Sequence, residues 1–349
     1  MEEINSDNQE NYGMDSLGES KSKSKSKWRR FILAGWILAL VLILVVLGGA
    51  LVWKTSFTYS QMKIEEAKGL LPLSESTPQP DADRLNILIL GLRGEEDSNG
   101  GLLTDSIMVL SLKKSTGQVA LISIPRDFYM KMPGENYKEK INFAYALGFE
   151  KKGAAGALLY SKTVVSQVTG LYINYAVSVN HEAFREIVNI LGGIDIILDK
   201  PFREDQQFSK EMIIDLPAGS NHLNGTTTLY FVRSRFTTSD FDRARRQQEV
   251  LLAIKDKAFS LGVISNPVKI FQILSSLGKN VRLDLPLSEI KNWLFLADSL
   301  KDQKVIHKVF DTTPEGLLYA SKSESDTYIL LPVGDNFKKI QEACRKIFD

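Results

Sequence analysis

From Phe31 to Trp53 the chain runs for 23 residues without a single charge. As a helix this run would be about 34 Å long, enough to cross a hydrocarbon core of roughly 30 Å. It exceeds the apolar region of a cleaved signal peptide, usually about 7–15 residues. Trp28, Trp36 and Trp53 stand near its ends, where interfacial anchors sit. The preceding segment KSKSKSKWRR, Lys21–Arg30, is strongly basic, and Lys and Arg just before a first span hold that side in the cytoplasm. The expected layout is a disordered cytoplasmic tail over 1–30, a transmembrane signal-anchor helix over 31–53, and the folded mass on the extracytoplasmic face of the cell membrane.

Within that frame composition excludes several classes. Lys and Arg number 43 against 42 Asp and Glu, so the chain lacks the bulk positive charge of a nucleic-acid coat. Cys344 is the only cysteine; no intramolecular disulfide can form, and the exported part must rest on an ordinary hydrophobic core. The three histidines, His181, His222 and His307, show no zinc spacing. There is neither a Walker-type phosphate loop nor a G-x-S-x-G elbow.

Residues 54–83 read as a stalk, ending in the proline-containing linker SESTPQPDADR. Beyond it, Asn86–Gly91, Ser106–Leu112 and Val119–Ile124 read as strands, the last two joined by a turn at Lys113–Gln118. Ala154–Val168 reads as a helix and Tyr172–Val179 as a strand. Asn180 offers an N-cap to a helix stopped by Gly192-Gly193, and Ile194–Leu198 reads as another strand. The alternation predicts a mixed α/β domain around a central sheet, over 84–262. For 263–349, a C-terminal extension, Asn266–Leu300 reads as helical, Thr327–Leu331 as a strand and Asp335–Phe348 as a closing helix.

The chemistry concentrates in YFVRSRFTTSDFDRARRQQ, Tyr230–Gln248. Arg233 and Arg235 end an apolar run that reads as a strand, where a period of two puts them on one side. Arg243 and Arg246 or Gln247 share a face of a helix starting nearby. Planar guanidiniums converging from two elements suit a phosphate-rich anion, because each can donate two parallel hydrogen bonds. Arg126 and Asp127 of SIPRD are delivered to the sheet edge, since Pro125 ends the ladder. Asp105 opens another strand, and a single carboxylate is a typical protein contribution to Mg²⁺. Lys140 leads a helix. Asp240, Asp242 and Asp127 are the carboxylates placed to act as a base, with Asp240 favoured.

The order of these pieces, NILILG, LLTDSIMVLSL, VALISIPRD, KINFAYA, IVNILGGIDI, GSNHLNGTTTLYFVRSR and DFDRARRQQ, resembles the LytR-CpsA-Psr family of membrane-anchored cell-wall glycopolymer transferases, over roughly Leu85–Ala258. The resemblance implies an α/β/α sandwich on a mixed sheet, with an apolar channel for a polyprenyl tail and arginines at its mouth. It implies transfer of a glycopolymer from a polyprenyl pyrophosphate carrier to peptidoglycan, with Arg126, Arg233, Arg235, Arg243 and Gln247 on the pyrophosphate, Lys140 nearby, and Asp105 as a Mg²⁺ ligand. Two positions depart from the family pattern. Arg93 stands where a second acidic metal ligand is common, leaving three alternatives: replacement by Glu95, Glu96 or Asp97, a metal held by Asp105 with water and pyrophosphate, or a charge supplied by Arg93 itself. Thr226–Thr228 replaces the usual Glu after the LNG turn. A lipid-pyrophosphate binding protein without catalysis and a lipid pyrophosphatase are the competing readings; nucleic acid is not an expected partner.

Overall fold

A computed structural model describes residues 63–64, 78–94, 97, 101–208, 212–262, 273, 278, 280–286 and 304–349. The expected tail and membrane span lie outside these residues; among the described ones no helix is long and apolar enough to cross a membrane.

In chain order the strands are β1 (Arg84–Leu92), β2 (Thr104–Lys113), β3 (Val119–Ser123), β4 (Tyr129–Lys131), β5 (Lys138–Lys140), β6 (Tyr175–Asn180), β7 (Ile194–Leu198), β8 (Phe202–Glu204), β9 (Ile214–Leu216), β10 (Gly219–Leu223), β11 (Val281–Leu283), β12 (Ile306–Val309), β13 (Leu318–Lys322) and β14 (Tyr328–Pro332). The helices are α1 (Ala144–Thr169), α2 (His181–Ile190), α3 (Gly225–Arg233), α4 (Asp240–Ser260) and α5 (Lys338–Arg345).

The central sheet has the order β11-β6-β1-β2-β3-β12. Its middle is the hairpin-linked series β1, β2, β3, antiparallel throughout. The β2–β3 turn closes with Lys113 N–H donating to Gln118 O at 2.9 Å, and Gly117 takes φ +71°, a conformation that costs glycine nothing. β6 runs parallel to β1, so it needs a crossover; α1 lies within that connection. The two outer strands come from far along the chain: β11 pairs with β6 and β12 with β3. Val281–Leu283 therefore corrects the helical reading of Asn266–Leu300. Val281, Leu283 and Leu285 are apolar on alternate positions and bury against Ala183, Tyr175 and Val177, which is strand periodicity. Within the expected stalk, Lys63 bridges to Leu283, and Ile64 N–H donates to Leu283 O at 2.7 Å.

The period of two sorts the central strands between two layers. Leu88, Leu90, Leu92, Ile107, Val109 and Ile122 join the main core with Leu158, Val164 and Val165 of α1 and Ile340 and Cys344 of α5. Arg84 fastens α5: it donates to Cys344 O at 2.9 Å and Arg345 O at 3.4 Å, and its Nε to Ser111 Oγ at 2.8 Å, so the orphan carbonyls of the helix end gain a cationic donor. Ile89 and Met108 instead face a cavity whose far wall is Phe184 and Ile187 of α2, Leu229 of α3, and Leu251 and Ile254 of α4. Gly225 lets α2 and α3 meet closely, since a Cβ there would lie 2.1 Å from Arg185 O.

Candidate active site

Two cavities meet at the C-terminal end of β1 and the start of β2. The larger, about 580 Å³, is lined by Asp127, Lys140, Phe236, Asp240 and Tyr328 among others. The smaller, about 280 Å³, lies between the sheet and α2–α4, with Arg93 and Arg233 in its wall. Both share Asp105, Ser106, Arg126, Arg235, Arg243 and Gln247. Arg93, Asp105, Arg126, Lys140, Arg233, Arg235, Asp240, Arg243 and Gln247, singled out from the sequence, thus each line one cavity or both, while Asp242 and Arg246 line neither.

Their charges interlock. Arg126 Nη1 donates to Asp105 Oδ1 at 2.5 Å, and its Nε lies 3.7 Å from Asp127 Oδ2 and 3.8 Å from Asp240 Oδ2. Asp240 Oδ1 lies 3.1 Å from Arg243 Nη1 and 3.5 Å from Arg235 Nη1. Lys140 Nζ donates to Asp127 Oδ1 at 2.7 Å. Burial would raise the Asp105 pKa, but Arg126, Arg243 and Arg93 outweigh it and hold the carboxyl below its ordinary value. Burial pushes the Arg243 guanidinium down. Around the cavities six cations (Arg93, Arg126, Lys140, Arg233, Arg235, Arg243) face three carboxylates (Asp105, Asp127, Asp240), so the local field favours an anion on a near-neutral chain. Two buried atoms here, Arg126 Nε and Asp240 Oδ1, make no hydrogen bond.

The strand expected to end in Arg233 and Arg235 is a helix. Asn224 caps it, accepting from Thr227 N–H at 2.9 Å, and Phe231 and Val232 bury in a second core with Val188, Ile194 and Val250. Packing and the cap override the strand preference of aromatic and β-branched residues. Arg233 is the last residue of α3 and Arg235 lies in the loop beyond, so they reach the cavities from a helix end and a loop, and not from one strand face. In α4 the cap is Ser239, which accepts from Asp242 N–H at 3.1 Å; Asp240 is left for the arginines. Arg243 and Gln247 face the cavities. Arg246 turns inward, donating to Phe231 O at 3.2 Å, to Ser234 O and to Thr238 Oγ1 at 3.2 Å.

Residues the sequence reading passed over hold this loop. Glu204, fully buried on β8, accepts from the backbone N–H of Phe236 at 3.0 Å and Thr237 at 3.2 Å, and of Gln206 and Gln207 at 3.1 and 3.2 Å. Burial would raise its pKa; these donors outweigh it and hold it below the ordinary range. Gln207 brackets the arginine pair, donating to Arg233 O at 2.9 Å and accepting from Arg235 N–H at 2.7 Å. Sequence spacing carries no signal of these contacts. His181, the first residue of α2, also lines the smaller cavity; burial, with Arg233 nearby, lowers its pKa to about 4. Tyr328, half exposed on β14, reaches the larger cavity from the C-terminal region.

The model of the LytR_cpsA_psr family matches residues 53–345. The chain belongs to that family. Among LytR_cpsA_psr relatives, it is 28% identical over 307 residues to the polyisoprenyl-teichoic acid–peptidoglycan teichoic acid transferase TagT of Bacillus subtilis, covering 86% of this chain and 91% of TagT. It is 30% identical over 275 residues to TagU of Enterococcus faecalis, of the same transferase name, covering 77% and 82%. A solved structure of TagT bound to LIIa-WTA aligns with a TM-score of 0.59 at 22% identity, over 81% of this chain and 97% of that one, which shows the shared mixed α/β fold.

The donor set suits a divalent cation poorly. Of the expected Mg²⁺ ligands, Asp105 has one oxygen 2.5 Å from Arg126 Nη1 and the other 3.5 Å from Arg93 Nε. Asp97 lies 3.8 Å from Arg93 Nη1, while Glu95 and Glu96 lie outside the described residues. Among the described residues no three His, Cys, Asp or Glu side chains gather to hold a metal. A hard dication wants several oxygen ligands, and here its place borders guanidiniums.

Proposed function

We propose that this protein transfers a glycopolymer from a polyprenyl pyrophosphate carrier to peptidoglycan, anchored in the membrane by Phe31–Trp53 with the folded domain outside. The observation that carries the reading is the seam of arginines shared by a mainly apolar cavity and a larger, more polar one. An amphiphile with a phosphorylated joint matches that shape: the prenyl segment next to the joint enters between Ile89, Phe184, Ile187 and Leu251, the pyrophosphate rests on Arg126, Arg235 and Arg243, and the polymer and its acceptor occupy the larger cavity. The transferase names of TagT and TagU point the same way.

Such a donor brings its own activated bond, so the protein supplies positioning and charge stabilisation. An acceptor hydroxyl oxygen attacks the phosphorus that carries the polymer. The bond from that phosphorus to the bridging oxygen breaks, and polyprenyl monophosphate leaves. The arginines donate charge-assisted hydrogen bonds to the oxygens on which negative charge builds. The hydroxyl proton goes to Asp240. Asp240 lines the larger cavity among Arg126, Arg235 and Arg243, beside the place the reacting phosphate would take, whereas Asp127 is held by Lys140 and Asp242 by Ser239 and Arg245.

The test is product analysis by mass spectrometry after incubating the full-length protein with a polyprenyl pyrophosphate-linked glycopolymer and peptidoglycan. Polymer joined to peptidoglycan with release of polyprenyl monophosphate is expected. Polymer phosphate released into water would establish a pyrophosphatase instead, and a donor bound but unchanged would establish a binding protein.

A further inference from the structure

We propose that Arg93 is the site's built-in substitute for a divalent cation, so that the pyrophosphate is bound and the transfer proceeds without metal. The inference rests on the donor class proposed above.

A divalent ion in a phosphoryl-transfer site links a protein carboxylate to phosphate oxygens and offsets charge on the leaving group. Here a guanidinium stands beside the carboxylate in the cavity wall. Arg93 Nε is 3.5 Å from Asp105 Oδ2, and Arg93 Nη1 is 3.8 Å from Asp97 Oδ2. The other oxygen of Asp105 is engaged by Arg126 at 2.5 Å, so the carboxylate is flanked by fixed cations on both sides. Arg93 also lines the smaller cavity beside Arg233, Arg235 and Arg243, and its charge is felt by Arg233 and His181.

The two Arg93 ion pairs are longer than a hydrogen bond. A phosphate oxygen entering the cavity beside Arg93 would receive N–H···O contacts from its planar guanidinium, as phosphates do from arginines. Asp105 keeps an orienting role, holding Arg93 and Arg126 toward the same point. A metal added to this arrangement would have to displace Arg93 from Asp105 or share its space, at a cost in like-charge repulsion. Replacing Arg93 by a carboxylate would place two acids, residue 93 and Asp105, side by side at the cavity mouth, the pairing a divalent cation favours.

The experiment uses full-length protein in detergent and geranylgeranyl pyrophosphate as the probe, with binding followed by titration calorimetry in excess EDTA and in millimolar Mg²⁺. Manganese binding is read separately by electron paramagnetic resonance without the probe. Wild-type protein is expected to bind the probe equally well in both buffers and to hold no tight Mn²⁺. Arg93→Asp is expected to bind the probe at least about tenfold more weakly in EDTA, to recover with Mg²⁺, and to gain a tight Mn²⁺ site. Arg93→Lys, which keeps the charge, is expected to remain insensitive to EDTA and holds the proposal open to test should Arg93→Asp fail to fold. Wild-type affinity that collapses in EDTA and returns with Mg²⁺ would overturn the role of Arg93 while leaving the donor class standing. A wild-type protein that binds the probe in neither buffer would overturn the donor class, and this inference with it.

Discussion

Arg126 and Asp105 meet at 2.5 Å where the two cavities join. The pair is partly shielded from water, and Asp105 is held ionised by the guanidiniums around it. Asp105→Asn removes the charge that orients Arg126 and keeps the side-chain shape. Since a hydrogen bond to a charged group contributes about 1.5–3 kcal/mol, transfer is expected to slow by roughly tenfold to a hundredfold. Steady-state kinetics on the purified variant checks this; an unchanged rate would remove Asp105 from the site's working parts.

Arg233→Ala and Arg243→Ala address the anion directly. Each is expected to weaken donor binding and slow transfer, again by about tenfold to a hundredfold or more. Arg246→Ala should behave differently. Its guanidinium lies 4.7 Å from the centre of the Phe202 ring and bonds to the backbone of the arginine loop, so its loss is expected to lower thermal stability. Melting temperature and donor affinity, measured on the three variants, separate the two kinds of arginine.

Glu204→Gln tests whether the loop is held from below. Gln keeps the size but puts an amide among backbone donors. Buried donors left unmatched cost about 1–3 kcal/mol, and Arg235 loses its fixed position. The expected result is a lower melting temperature together with a fall in kcat, with less change in donor affinity because Arg126 and Arg243 stand on other elements. Stability from this carboxyl is present above the unfolded-state value of 4.5 and is lost as pH falls through the depressed native value.

His181 sets a pH dependence of the opposite origin. Its native pKa of about 4 lies below the ordinary 6.5. Above 6.5 it is neutral in both states and contributes nothing. Between 6.5 and about 4 the unfolded chain takes up a proton that the native state refuses, so stability falls as pH falls, and below about 4 the loss is constant. The total is at most about 3 kcal/mol. Denaturation curves across this range are expected to flatten in His181→Gln. A bound pyrophosphate would place negative charge beside the ring, so the NMR-titrated pKa of His181 is expected to rise on adding the prenyl pyrophosphate.

The lone thiol has a simpler expectation. Burial pushes Cys344 up to about 12, and the group is 1% exposed. A thiol-specific reagent at neutral pH should leave it unmodified in the native protein and react once denaturant is added; rapid native labelling would contradict the docking of α5.

The sequence reading reached the parts of this fold that are written locally. The strand over Asn86–Gly91 is a short apolar run closed by glycine, the β2–β3 turn has its Gly117, and Asn180 caps α2 through Ala183 N–H. It failed where distant packing decides. Tyr230–Arg233 has the composition of a strand, and only Asn224 and the burial of Phe231 and Val232 make it a helix. Val281–Leu283 and Ile306–Val309 are too short to announce themselves, and they become strands because β6 and β3 offer free edges. The same division holds in the site. Its charged residues were legible as motifs, while Gln207 and Glu204, which fix the backbone of Arg235, Phe236 and Thr237 from 28 to 33 residues away in sequence, were not.

The central claim is that the arginine seam holds the pyrophosphate of a prenyl carrier, with its tail in the apolar cavity. A crystal structure of the folded part, grown with geranylgeranyl pyrophosphate, tests it most directly. Density for the pyrophosphate between Arg126, Arg235 and Arg243, continuing as a chain past Ile89 and Phe184, is the expected result. A ligand ordered elsewhere, or a pyrophosphate on the arginines with its tail directed away from that cavity, would contradict the account.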